Sequence, residues 1–144
     1  MENHLNLADL HIGDWVQEYS DIKGQLSCPM YVYALYEDGT VYLNFNGNEA
    51  DIWEAEIKDL RPIIIDEDIL KGFGFSKVKN DTYWHLHHNG YRIDFDVNNH
   101  FMKLHSNHSE DMPFLVFTCL YVHTMQHLYY EHTQYPLILE WKGV

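Results

Sequence analysis

Asn89-Gly90 sits between two runs of alternating residues, Thr82 to His88 and Tyr91 to Val97, and no other feature narrows the fold of this chain as much. Asn-Gly takes positive φ at both positions, as a two-residue type I′ turn requires, and that turn matches the twist of the strands it joins. The turn sets the register: His88 opposite Tyr91, Leu86 opposite Ile93 and Trp84 opposite Phe95, all on one mostly apolar face. The other face pairs His87 with Arg92, His85 with Asp94 and Tyr83 with Asp96, and so predicts a histidine-carboxylate contact. A slip of one residue would mix the two faces. Asn98-Asn99 offers a second turn that brings Phe95 opposite Met102, Ile93 opposite Leu104 and Asp94 opposite Lys103. The expected unit is a three-stranded meander.

Upstream, from Leu10 to Pro62, short strands alternate with turn signals. One runs from Met30 to Tyr36, where Tyr31, Tyr33 and Leu35 alternate with Val32, Ala34 and Tyr36; Asp38-Gly39 then turns the chain into Thr40 to Phe45. Asn46-Gly47-Asn48 makes a further turn into Ile52 to Ile57, and Asp59 to Pro62 closes the section. Strands this short and this frequent predict a small SH3-like barrel. Asp66 then reads as the N-cap of one short helix, with Ile65 placed to staple onto Leu70, Glu67 and Asp68 at the positive end, and Lys71-Gly72 at the stop. Gly72-Phe73-Gly74-Phe75 leads on into a strand.

Downstream, Phe114 to Phe117 reads as a strand and Cys119 to His132 as the one long helix. Tyr121, Val122, Met125, Leu128 and Tyr129 form its apolar stripe, and Thr124, Gln126, His127 and Glu131 point away from it. Pro136 ends the helix, and Leu137 to Trp141 returns as a final strand. The fold class is α+β and mainly antiparallel: an SH3-like barrel over residues 1–61 and an α+β part over 62–144, the two sharing one core.

Charge excludes some functions. With 22 acidic against 9 basic side chains the formal charge is −13, and the cations are scattered, so neither nucleic acid nor an anionic membrane surface is an expected partner. No apolar run approaches the roughly 18 residues of a membrane helix, and Met1 to Leu10 lacks the basic and apolar regions of an export signal. A cytoplasmic location is expected, with Cys28 and Cys119 as free, mostly buried thiols. No phosphate-cradling or dinucleotide-binding glycine motif occurs, so no cofactor is expected.

Three constellations carry some chemistry. His123-Thr124-Met125-Gln126-His127 spaces two imidazoles by one helical turn, and Glu131 follows a turn later as a third ligand on that face. Thr124, however, stands where a zinc protease has its glutamate base. His85, His87 and His88, with His100, His105 and His108, crowd the meander, and strand alternation lets His85 and His87 converge with Arg92 and Asp94. Asp94-Phe95-Asp96-Val97-Asn98 imitates the start of a calcium loop, but Asn99 and His105 occupy the positions of its glycine and bidentate glutamate. Separately, Tyr31, Tyr33, Tyr36, Tyr42 and Phe45 gather on one barrel hairpin and form a candidate binding surface.

Leu10-x-x-Gly13-Asp14-Trp15-Val16, Asp59-Leu60-Arg61-Pro62-Ile63, Asp66 to Phe75, and Val122-His123-x-Met125-Gln126-x-Leu128-Tyr129 together resemble a family of small proteins of Bacteroides-type gut bacteria and their phages or mobile elements. The resemblance implies a bacterial or phage setting and carries over no catalytic residues. The leading expectation is a non-enzymatic module that binds a protein partner or itself. A small histidine- or metal-dependent hydrolase is the alternative, and an acidic mimic of nucleic acid the third.

Overall fold

The computed structural model describes residues 5–45, 48, 51–106 and 115–143. Asn46, Gly47, His108 and Phe114 lie outside the described residues, and with them most of the Asn46-Gly47-Asn48 turn. The chain divides into two compact units, Met1–Ile63 and Ile64–Val144.

The first unit is one curled antiparallel sheet. Its strands are β1 (Trp15–Ser20), β2 (Gln25–Leu26), β3 (Met30–Leu35), β4 (Thr40–Asn44), β5 (Trp53–Glu56) and β6 (Leu60–Pro62), in the order β2-β1-β3-β4-β5 with β6 also on β1. Curling is visible in one bond: the Trp53 indole N–H, on the last strand, donates to Glu18 Oε1 on β1 at 2.8 Å. The sheet closes around Leu5, Leu10, Val16, Met30, Val32, Val41, Leu43, Ala55 and Leu60. Burying each larger aliphatic of this set stabilises the fold by roughly 1.5–3 kcal/mol. The β3–β4 turn forms as Asp38-Gly39 predicts: Gly39 holds φ +96°, and Asp38 Oδ1 accepts the Thr40 N–H at 2.9 Å.

Strict alternation along β3 does not hold. Val32 pairs with Leu43 and Ala34 with Tyr42, so Tyr33 is an extra residue in a β-bulge. Val32 and Leu35, three positions apart, therefore both pack toward the core. A bulge adds twist to a strand, as a tightly curled sheet requires.

The second unit holds the meander. Its strands β7 (Trp84–His88), β8 (Tyr91–Asp96), β9 (Phe101–Ser106) and β10 (Leu115–Thr118) lie in the order β10-β9-β8-β7, all antiparallel. The β7–β8 register is the one the Asn-Gly turn dictates, from His88 opposite Tyr91 to Trp84 opposite Phe95, with Asn89 and Gly90 at φ 53° and 82°. The β8–β9 pairs Phe95–Met102, Ile93–Leu104 and Asp94–Lys103 also form as expected.

Helix α1 (Glu67–Gly72) starts at Asp66, whose Oδ1 accepts the Ile69 N–H at 2.8 Å. Helix α2 (Val122–Thr133) lies against the apolar meander face through Tyr129, whose ring meets those of His88 and Tyr91 edge-on at 5.3 and 5.9 Å.

Several expectations need correction here. Helix α2 begins three residues later than Cys119, because Tyr121 stays extended and bridges to Ile64. His123 and Gln126 are buried, and Gln126 has its side-chain amide on Leu137 O at 3.4 Å, so the buried stripe includes polar residues. After Gly74 there is no strand, only a bridge from Ser76 to His85. Leu137 to Trp141 forms no strand either: Leu137 and Leu139 are buried, and Trp141 packs edge-on against Phe73 at 5.0 Å. Cys28 is exposed, and only Cys119 is buried. The fold is α+β and mainly antiparallel, with a small barrel-like core. Among the described residues no helix is long and apolar enough to cross a membrane.

Candidate functional site

The aromatic hairpin residues fall into separate groups. Tyr31 stands opposite Asn44 and meets Trp15 at 5.3 Å between ring centroids. Tyr42 and Tyr36 meet edge-on at 5.1 Å. Tyr33 is 51% exposed at the bulge, Tyr36 47%, and Phe45, just past β4, 39%. Trp53, which sequence reasoning did not single out, is the most exposed of this group at 55%. Its position on an edge strand explains this, and nothing local in the sequence signals which strand lies at the edge. The same stretch of chain exposes Glu37, Asp38, Asp51, Glu54 and Glu56. Lys58 is held by Glu56 at 3.1 Å and its ammonium pKa is raised, chiefly by that hydrogen bond. The arrangement offers large, rigid apolar contacts within a negative field, which suits recognition rather than bond-making.

The meander's polar face concentrates titratable groups around Asp94, which is buried on the central strand β8. The Arg92 guanidinium grips it with both arms, Nε to Oδ1 at 2.9 Å and Nη2 to Oδ2 at 3.1 Å. His85 Nδ1 lies 2.5 Å from Asp94 Oδ1 and its Nε2 lies 2.7 Å from Asp81 Oδ2. Two carboxylates accept, so both ring nitrogens donate and the ring is an imidazolium. Burial works against that charge, but the hydrogen bonds to Asp81 and Asp94 outweigh it and raise the pKa of His85. The same contact, together with the Tyr83 N–H, holds Asp81 below the usual carboxylate range.

His105 Nε2 stands 2.9 Å from Asp94 Oδ2, close enough for an ion pair but without hydrogen-bond geometry, and its Nδ1 makes no hydrogen bond among the described residues. The contact of His85 with Asp94 is the one the hairpin register predicts. Asp81 joins the cluster from a loop, and His105 from β9, where it stands opposite Arg92. His87 is exposed and takes no part in the Asp94 bonds.

His85 is committed at both of its ring nitrogens. A general base needs a nitrogen free to take a proton, and His85 has none. Nor does the Asp94 to Asn98 run offer calcium a set of open oxygens. Asp96 accepts from the Asn98 N–H at 3.0 Å and from the Asn99 side-chain amide at 2.9 Å, bonds that pull its pKa down, with the Asn99 side chain the largest cause.

On α2, His123 and His127 come together edge-on at 5.6 Å, and Tyr121 stacks on His123 at 5.8 Å. Glu131 is exposed on the same helix, and the ligand atoms of the three do not converge within reach of one ion. Comparison with protein-family models, with curated proteins and with solved structures gave no match to this chain.

Proposed function

We propose that this protein is a non-enzymatic interaction module that binds a protein partner through the aromatic, acidic surface of β3, β4 and β5. The observation that carries this reading is the exposure of Tyr33, Tyr36, Phe45 and Trp53 in and just beyond β3, β4 and β5 of one sheet, in a stretch of chain that also exposes five carboxylates. Tyrosine and tryptophan are enriched among the residues that carry binding energy at protein interfaces. His85 at Asp94 supports the same reading from the other side, since both of its nitrogens are already committed.

The setting that goes with this reading is the cytoplasm of a bacterium, and kinship with the small Bacteroides-type bacterial and phage proteins. Two free thiols support the first, and the Leu10 to Val16 and Asp66 to Phe75 elements the second.

The test compares immobilised wild-type protein with a Tyr33→Ser/Tyr36→Ser/Trp53→Ser variant of matched melting temperature. Proteins retained from a bacterial lysate are quantified by mass spectrometry. A partner held by the wild type and reduced at least tenfold on the variant supports the reading. Identical retention on both overturns it.

A further inference from the structure

Strand β5 ends the sheet of the first unit. It pairs with β4 from Thr40 to Leu43, and among the described residues no strand lies on its other side. An edge strand presents N–H and C=O groups to which one more strand can add. Which strand it accepts depends on the side chains along it. Glu54 stands opposite Tyr42 and Glu56 opposite Thr40, so both carboxylates share the outward face. Trp53 and Ala55, opposite Leu43 and Val41, share the other. An incoming strand therefore meets acid and apolar positions in alternation.

Charge decides between occupants. If two copies of this chain paired edge to edge about Ala55, Glu54 of each would lie opposite Glu56 of the other, and like charges directly opposite destabilise a ladder. A segment with Lys or Arg at alternate positions turns both of these into favourable pairs, while the residues between them fall beside Trp53 and Ala55. The wider field acts in the same sense, since 22 acidic side chains against 9 basic ones attract a cationic segment over distance. Lys58 is no obstacle: its pairing with Glu56 is solvent-exposed, and such a pair yields readily to a competing cation.

We infer that the free edge of β5 is a strand-addition site for an extended, basic segment of a partner protein, with Lys or Arg at alternate positions read by Glu54 and Glu56 and apolar residues placed beside Trp53. This rests on the interaction-module reading and specifies the mode of binding and the chemistry of the partner.

The experiment uses the full chain and synthetic seven-residue peptides: one alternating lysine and valine, its glutamate counterpart, and two forms of the lysine peptide N-methylated on odd or on even residues. Calorimetry gives the affinities, and hydrogen exchange reads the amides of residues 53–56. The lysine peptide binds, slows exchange along β5, and loses at least tenfold in affinity when one alternate set of amides is methylated but not the other. The glutamate peptide does not bind, and a Glu54→Lys/Glu56→Lys variant reverses the preference.

The inference is overturned if the lysine peptide fails to bind, if both methylated forms bind as tightly as the parent, or if the charge-reversed variant keeps its lysine preference. A partner from the lysate experiment that is lost with Tyr33→Ser/Tyr36→Ser/Trp53→Ser but kept by Glu54→Lys/Glu56→Lys would leave the module reading standing and remove the strand-addition site.

Discussion

The phenol of Tyr129 and the imidazole of His88 fix each other's protons. Tyr129 donates its only hydroxyl proton to the His88 carbonyl oxygen at 2.9 Å, and His88 Nδ1 lies 2.9 Å from that same phenol oxygen. The nitrogen must then donate, which assigns the neutral ring its Nδ1–H tautomer. This contact ties α2 to the turn end of β7, and burial pushes the Tyr129 pKa up to about 12, so the phenol stays protonated.

Tyr129→Phe removes the hydroxyl and leaves two polar groups of His88 without that partner. The expected loss is about 1–3 kcal/mol in urea unfolding, the range for orphaned buried polar groups. A variant as stable as the wild type would show that this link between helix and hairpin contributes nothing.

His85 and His88 titrate on opposite sides of the ordinary value. The bonds of His85 to Asp81 and Asp94 overcome burial and raise its pKa, whereas burial lowers that of His88. The contribution of His85 to stability is complete below the unfolded value of about 6.5 and is lost as pH rises through its folded pKa. That of His88 is complete above about 6.5 and is lost as pH falls toward its lower folded pKa. Ring-proton NMR shifts followed from pH 5 to 9 should show His85 titrating after His88. The reverse order would contradict the geometry at Asp94.

Asp94→Ala leaves the half-buried Arg92 guanidinium and His85 imidazolium facing an emptied position. Removing one member of a buried ion network typically costs about 3–5 kcal/mol. Thermal unfolding should show a large drop for Asp94→Ala, and a much smaller one for loss of the exposed His87 imidazole on the same face. Equal, small effects would mean that the network does not hold the three strands.

Gly72→Ala should destabilise although alanine is the better helix former. A Cβ at residue 72 would lie 2.1 Å from the Trp141 ring, which sits over this end of α1. The ring must move, and with it the Lys142 N–H bond to Gly72 O. Overpacking of this kind costs about 1–3 kcal/mol. In a double-mutant cycle, Trp141→Ala should relieve most of that loss, and strictly additive effects would argue against the contact.

By itself the sequence determined the elements whose signals are local. The positive φ of Asn89-Gly90 and a side-chain period of two are enough to place His85 against Asp94, and Asp66 caps α1 through an amide only three residues away. Tertiary structure alone decided the rest. The bulge at Tyr33 follows from the curl of a six-stranded sheet, which no stretch of β3 encodes alone. Asp81 reaches the Asp94 cluster from a loop, and Trp53 is exposed because β5 became an edge. Leu137 to Trp141 has the look of a strand, yet its side chains found burial, and its Trp141 ring a seat on Phe73 and Gly72, without a ladder. Turns and caps depend on backbone conformation over a few residues, whereas burial and edge position depend on which distant segments pack together.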